Sequence, residues 1–436
     1  MYEKDNYCII GKSHARVDVD KQLTGQVKYT NDMSVPGMLY AKGIFSPHDH
    51  AKILSIDTSE ALAVPGVRGI ATAEDVKFNR VGITPCMDHP VFAEDKVRYK
   101  GEVVALLAAD TYEIACRAAK LVKVEYEPLP AVFDPREAIK EGAPILHEDK
   151  PDLYRGNIHI VPATGGDCQM LRSGDIEKGF AESDYILEKE FATCPRRAAP
   201  IENFSTLAVP DGPDAITIYA TTQCPHGNAG PIAAALGMPL SKVRIICPAL
   251  GGGFGVKNYQ TNEAGTATLA RKLNKPVKWT LDVNDMYNHA GTNHGVYFKY
   301  KVGFKKDGTL MALQRTSYTA AGAYRGVAIL ITMKITYWGC GPYNIPHQAA
   351  DCYVVATNRN PGVAFRGFGM AQPTFALEVL MDMIAEKCGI DPYELRKKNL
   401  IHDGDYMPTG QVIRASGIEK TLDKVAEMSG WTTETA

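Results

Sequence analysis

Val103-Val104-Ala105-Leu106-Leu107-Ala108-Ala109 is an unbroken apolar run of strand length, the pattern of a β-strand buried on both faces. Asp110 follows it as a candidate N-cap. Ile114, Ala115, Ala118 and Ala119 then share one helical face. Val122, Val124 and Tyr126 alternate with Lys123, Glu125 and Glu127, the period of a half-buried strand, before Pro128 and Pro130 close the unit. Strand, helix and strand in quick succession make an α/β unit.

Working outward, residues 131–160 are rich in Pro, Gly and charge, from Asp134-Pro135-Arg136-Glu137 to Asp149-Lys150-Pro151-Asp152, and are expected to link two domains, 1–130 and 161–436. In the second, 186–193 and 216–222 read as strands and 262–272 as an Ala-rich helix. Phe298, Tyr300, Val302 and Phe304 alternate with polar residues or glycine up to Lys305-Lys306-Asp307-Gly308, which predicts a hairpin. Leu377, Leu380, Met381, Ile384 and Ala385 recur at helical spacing until Cys388-Gly389 stops them. The fold class is therefore mixed, α+β or α/β.

A chain of 436 residues exceeds one ordinary core. With 45% hydrophobic and 22% charged residues it has the composition of a soluble globular protein. A formal net charge of −2 argues against nucleic acid as a partner. No apolar run reaches the roughly 18–20 residues a membrane span needs. Met1-Tyr2-Glu3-Lys4-Asp5 does not begin a signal peptide, so a cytoplasmic location is expected. The ten cysteines are scattered without a C-x-x-C pair. Reduced, mostly buried thiols are expected, rather than disulfides, zinc or iron–sulfur sites.

Three segments carry chemistry. In Leu250-Gly251-Gly252-Gly253-Phe254-Gly255-Val256-Lys257 the glycines let backbone approach a bulky ligand and present N–H groups to an anion or oxo group. In Ala364-Phe365-Arg366-Gly367-Phe368-Gly369, an Arg among glycines precedes a helix, which suits a phosphate or pterin. Thr221-Thr222-Gln223-Cys224-Pro225 ends a strand with a neutral amide donor. Each has a plain alternative: a ligand-free glycine turn, a surface Arg, a solvated Gln.

Together, and with Gln223 and Phe254 31 residues apart, the three segments resemble the molybdenum hydroxylases of the xanthine dehydrogenase/aldehyde oxidase family. Arg16-Val17-Asp18, Thr24-Gly25-Gln26-Val27-Lys28-Tyr29 and Ser46-Pro47-His48-Asp49-His50-Ala51-Lys52-Ile53 resemble that family's α/β hammerhead domain. The resemblance implies a hammerhead domain followed by a first molybdopterin-binding domain, with His48 and His50 structural.

The resemblance also implies roles. Gln223 would donate to an oxo ligand on molybdenum. Gly253, Phe254 and Gly255 would line the metal's other face. Gln223 and Phe254 would touch oxo ligands, not the metal itself. Arg366 and Gly367 would hold the pterin, expected as the cytosine dinucleotide with a labile sulfur or selenium ligand on the metal. Phe368 would stack on a flat heteroaromatic substrate. Xanthine-oxidising members carry an acid where this chain has Asn258, and Lys334 is a candidate cation for a substrate carboxylate. Nicotinate, hydroxylated at carbon 6, is the expected substrate; a purine or an aldehyde is the alternative within the class. A cofactor-holding scaffold without catalysis is the alternative outside it. The family's second cofactor domain, with its general-base Glu, lies beyond this sequence, and is expected on a partner subunit or a missing continuation. Iron–sulfur ([2Fe–2S]) and FAD subunits complete the expected complex.

Overall fold

The computed structural model describes residues 7–83, 86–259 and 262–432; Met1 to Asp5 lie outside them. The continuous apolar run is the strand Val103–Ala109, buried along its whole length. It lies between Leu39–Phe45 and Val67–Ala71, antiparallel to both. Leu106 and Ala108 enter one core with Trp279. Leu107 and Ala109 enter another with Ala115 and Ala118 of the helix Tyr112–Ala119. Having two cores to fill explains why the run is continuous rather than alternating. The helix is capped by Thr111, whose hydroxyl accepts from Ile114 N–H, and not by Asp110. That carboxylate instead takes a forked bond from Arg68, with Nε–Oδ1 at 2.7 Å.

The same sheet runs on into the second half of the chain. Leu39–Phe45 pairs in parallel with Val277–Thr280, which is followed across the sheet by Ser205–Pro210, Ile216–Ala220 and Val243–Ile246. Residues 131–160 carry the short helix Pro135–Ala138 and two two-residue strands. Val132, Ala138, Leu146 and Tyr154 pack on Val355 and Ala356. A second seven-stranded sheet is built around Tyr185–Thr193, Val296–Phe304, Leu310–Gly322 and His347–Ala356. The predicted hairpin is its centre, with register from Val296↔Thr319 to Phe304↔Leu310.

The helix predicted from Leu377 to Ala385 spans Ala371–Cys388. Leu377, Leu380, Met381, Ile384 and Ala385 share a core with Phe298, Tyr300 and Phe304. Gly389, in the left-handed region at φ 64°, ends it. The strand expected over 216–222 stops at Ala220; Thr221 and Thr222 beyond it stay buried, and Thr221 N–H still bonds Ser205 C=O at 3.0 Å. Two helices had no sequence signal, Pro225–Leu236 and Ala328–Trp338. Both are small or apolar nearly all round, so no amphipathic period marks them. Among the described cysteines only Cys340 and Cys352 are buried, a correction to the expected mostly buried set. No helix among the described residues is long and apolar enough to cross a membrane.

Candidate functional site

The glycine-rich loop leaves the strand Val243–Ile246 and folds against the end of its neighbour Ile216–Ala220. Gly252 (φ 97°), Phe254 (φ 54°) and Gly255 (φ 97°) all take left-handed backbone. For a bulky residue such as Phe254 this conformation is strained, and the residue remains 45% exposed. Gly253 is pressed against Gln223: a Cβ there would lie 2.4 Å from the Gln223 Cδ.

Gln223 is gripped at both ends. Its backbone N–H donates to Lys257 C=O at 2.9 Å, and its Oε1 accepts Gly255 N–H at 2.9 Å. That second bond fixes the amide orientation and leaves Nε2 as a donor with no partner among the described residues. Sequence reasoning missed what holds the loop. Lys257, fully buried, donates to Glu202 Oε2 at 2.9 Å, and the same oxygen accepts Gly251 N–H at 2.7 Å. Burial pushes the Lys257 ammonium below its usual range while Glu202 pulls it back up. The sequence did offer a signal, since a Lys directly after an apolar Gly-Phe-Gly-Val is a charge in a poor place for solvation.

The second segment has the same shape. Gly367 (φ 95°), Phe368 (φ 23°) and Gly369 (φ 83°) form another left-handed turn before the Ala371–Cys388 helix. Gly369 packs on Ile331 C=O, where a Cβ would come within 2.6 Å. A Cβ on Gly255 would lie 3.0 Å from Ala364 backbone, so the two segments touch just ahead of Arg366. Arg366 and Phe368 line a pocket of about 370 Å³ with Phe365, Arg196, Asn293 and Gln372. No Asp or Glu lines it.

The predicted residues thus fall into two neighbouring groups. Gln223, Gly253, Phe254 and Gly255 form one, and Arg366, Gly367 and Phe368 the other. Of all these only Arg366 and Phe368 are in the pocket lining; Asn258 lies beside the first group, its N–H donating to Gly255 C=O at 3.1 Å. Asn258 Oδ1 faces Cys224 Sγ at 3.5 Å. Lys334 sets its ammonium 4.2 Å from the centre of the Trp338 ring, one turn along its own helix. In the hammerhead region, His50 Nδ1 bonds Pro130 C=O at 2.6 Å and His48 meets Tyr126 edge-on at 5.0 Å.

A free amide donor beside exposed strained backbone, and a cationic aromatic pocket next to it, suit an oxo-bearing centre and a flat ligand. Comparison with known proteins shows the family. A family profile described as "Molybdopterin cofactor-binding domain" matches residues 160–400. One described as "Aldehyde oxidase and xanthine dehydrogenase, a/b hammerhead domain" matches residues 24–130. The nicotinate dehydrogenase large molybdopterin subunit of Eubacterium barkeri is 33% identical over 97% of this chain and 96% of its own length. A probable xanthine dehydrogenase component of Bacillus subtilis is also 33% identical, over 97% of this chain and 56% of its own. The solved aldehyde oxidoreductase of Desulfovibrio gigas superposes with TM-score 0.87 at 31% identity, over 95% of this chain and 46% of that one. Apart from the Eubacterium protein, the chain spans about half the length of these relatives.

Proposed function

Since the chain belongs to the aldehyde oxidase and xanthine dehydrogenase family of molybdopterin-binding oxidoreductases, we infer that it is the molybdopterin-binding subunit of a multi-subunit hydroxylase acting on a ring carbon next to nitrogen. Nicotinate, converted to its 6-hydroxy derivative, is the substrate we assign. The observation that carries this reading is the orientation of Gln223. Gly255 N–H occupies its amide oxygen, so only the NH₂ end is left for a ligand, as an oxo group requires.

The residues present fit the cofactor. A side chain at Gly253 would collide with Gln223 and displace its amide, and one at Gly255 would press on the Ala364 backbone; Arg366 sits in a pocket without acids, where a pterin's polar edge or phosphate can take its donors. When bound, molybdopterin supplies a redox-active, Lewis-acidic metal and an acidified hydroxide. The chain's own part is positional. Gln223 Nε2 donates to the oxo position. The backbone at Gly253, Phe254 and Gly255 walls it. Arg366 and Gly367 hold the pterin, and Phe368 presents a face on which a flat ring stacks offset. Asn258 and Lys334 remain candidates for tuning substrate choice.

In this reading the general-base Glu comes from a second molybdopterin subunit. The cofactor held by Gln223, Arg366 and Gly367 would be the cytosine dinucleotide form with a sulfur or selenium ligand on the metal, and [2Fe–2S] and FAD subunits would be its redox partners. The Eubacterium relative, named a large molybdopterin subunit, supports a multi-subunit assembly. The test is to purify the assembled complex, measure molybdenum per complex, and run nicotinate against purines and aldehydes. Stoichiometric molybdenum with nicotinate turnover supports the reading. Rapid purine turnover with none of nicotinate sinks the substrate, and a metal-free chain without partners sinks the enzyme.

A further inference from the structure

The pocket that Arg366 and Phe368 line is lined by a second arginine, Arg196, which is exposed. We propose that Arg196 binds the anionic group of the substrate and so selects flat rings that bear a carboxylate. The proposal rests on the reading above, in which Phe368 carries the ring and Arg366 the cofactor.

Arg196 is held at its backbone and free at its head. Its N–H donates to Asn293 Oδ1, and its C=O accepts Asn293 N–H at 2.9 Å. The guanidinium has no carboxylate or carbonyl partner among the described residues. Its neighbour Arg197 shows the contrast. One nitrogen of Arg197 donates to Met286 C=O at 3.1 Å, and its guanidinium lies 5.6 Å from the Tyr287 ring centre. Arg197 is therefore committed to the fold, and Arg196 is not.

Three further features point to an anion. No Asp or Glu lines the pocket, so two arginines share it uncompensated. Two like charges in one pocket repel unless a counter-charge enters. Lys334, the other cation near the Phe368 loop, is stacked on Trp338 outside the lining. The walls are Phe365, Phe368 and Phe375, which favour a flat apolar body over a free inorganic ion. A planar carboxylate on an aromatic ring matches both parts, because the guanidinium fork pairs with two carboxylate oxygens. Phosphate of the cofactor shares that chemistry, so the test must separate the two.

The experiment uses the assembled enzyme with Arg196→Gln and Arg196→Lys. Molybdenum content, KM for nicotinate and for nicotinamide, and inhibition by benzoate and by benzamide are measured. In Arg196→Gln, KM for nicotinate should rise on the order of tenfold to a hundredfold, the loss of one charge-assisted pairing. KM for nicotinamide should move less than about twofold on the same basis, Arg196→Lys should recover part of the loss, and molybdenum content should match the parent. Equal shifts for acid and amide, or no shift, would overturn the proposal. So would loss of molybdenum, which would place cofactor phosphate at Arg196. If the parent oxidises neither pyridine, the nicotinate reading has failed on its own. Benzoate against benzamide, as inhibitors of whatever substrate is oxidised, then decides: a preference for benzoate that Arg196→Gln abolishes upholds the proposal, and no such preference ends it.

Discussion

Two loops in this molecule share one design and are finished differently. Each places a Phe in left-handed backbone directly before a left-handed glycine, Phe254 before Gly255 and Phe368 before Gly369. They supply two of the five non-glycine residues at positive φ among those described. Around Phe254 the bonding is closed: Gly255 holds Gln223, and Lys257 and Glu202 lock the loop from below. Around Phe368 the backbone is packed on Ile331 and Lys334, yet the charged heads of Arg366 and Arg196 are left open. The closed loop fixes where a donor points, and the open one keeps its donors for what binds. Substitutions should therefore cost stability at the first and binding at the second.

The largest effect is expected at Lys257. Lys257→Met leaves the Glu202 carboxylate, 9% exposed, without its cation, and breaking a buried pair on one side costs roughly 3–5 kcal/mol. Urea unfolding would measure it. The double substitution Glu202→Leu with Lys257→Met should recover part of the loss, since no orphan charge remains. A single-variant cost under about 1 kcal/mol, the range of a surface pair, would mean that the lock is not one.

Next is Gly253→Ala. The added carbon would sit 2.4 Å from Gln223 Cδ, so the amide must move, at about 1–3 kcal/mol for overpacking. Turnover in the assembled enzyme should fall on the order of a hundredfold if Gln223 is a positioned donor. A variant that folds normally and turns over like the parent would remove Gln223 from the site.

How far the sequence could be read follows the same division. The Val103–Ala109 strand, the 298–304 hairpin and the Leu377–Ala385 face were legible because burial writes itself as run, alternation or helical spacing. The glycine loops were legible as a family resemblance. The Glu202–Lys257 lock was not, because the partners are 55 residues apart and only the fold joins them. Arg196 stayed hidden for a related reason. Next to Arg197 it is one of a pair of surface-like arginines, and only their different bonding tells them apart. The helices Pro225–Leu236 and Ala328–Trp338 lacked the period that a one-sided burial imposes.

A smaller effect per group comes from two buried histidines, His294 and His89. His294, whose backbone carbonyl accepts from Gln372 at 3.1 Å, is fully buried with neither ring nitrogen bonded among the described residues. Burial pushes its pKa down to about 3, and burial together with the charges of His289, Arg80 and Lys150 does the same for His89. In both, the unfolded chain binds the proton first. Between pH 6.5 and about 3 the unfolded state therefore carries more protons, and stability falls as pH falls through that window. Each histidine should contribute a loss of up to about 1.4 kcal/mol per pH unit below its unfolded value. Urea midpoints should drop between pH 7.5 and pH 5.5 (conditions about one unit either side of an ordinary histidine), and His294→Gln should flatten part of that slope. A slope unchanged in the variant would show that His294 takes up protons equally in both states.

The smallest stability change is expected at Arg366, and it tests the open loop most directly. Its guanidinium has no hydrogen bond or ion pair among the described residues and faces the pocket. Arg366→Gln therefore removes no internal contact, and the unfolding free energy of the metal-free chain should stay within about 0.5 kcal/mol of the parent. Molybdenum retained by the assembled complex should fall severalfold nonetheless, because a forked charged donor to the cofactor is gone. The two readouts need each other. A destabilised variant would show that Arg366 is spent on the fold after all, as Lys257 is. An unchanged stability with unchanged molybdenum would leave the pocket's two arginines to the substrate alone. Only stability kept and cofactor lost matches a loop built like its neighbour but left unfinished until the cofactor arrives.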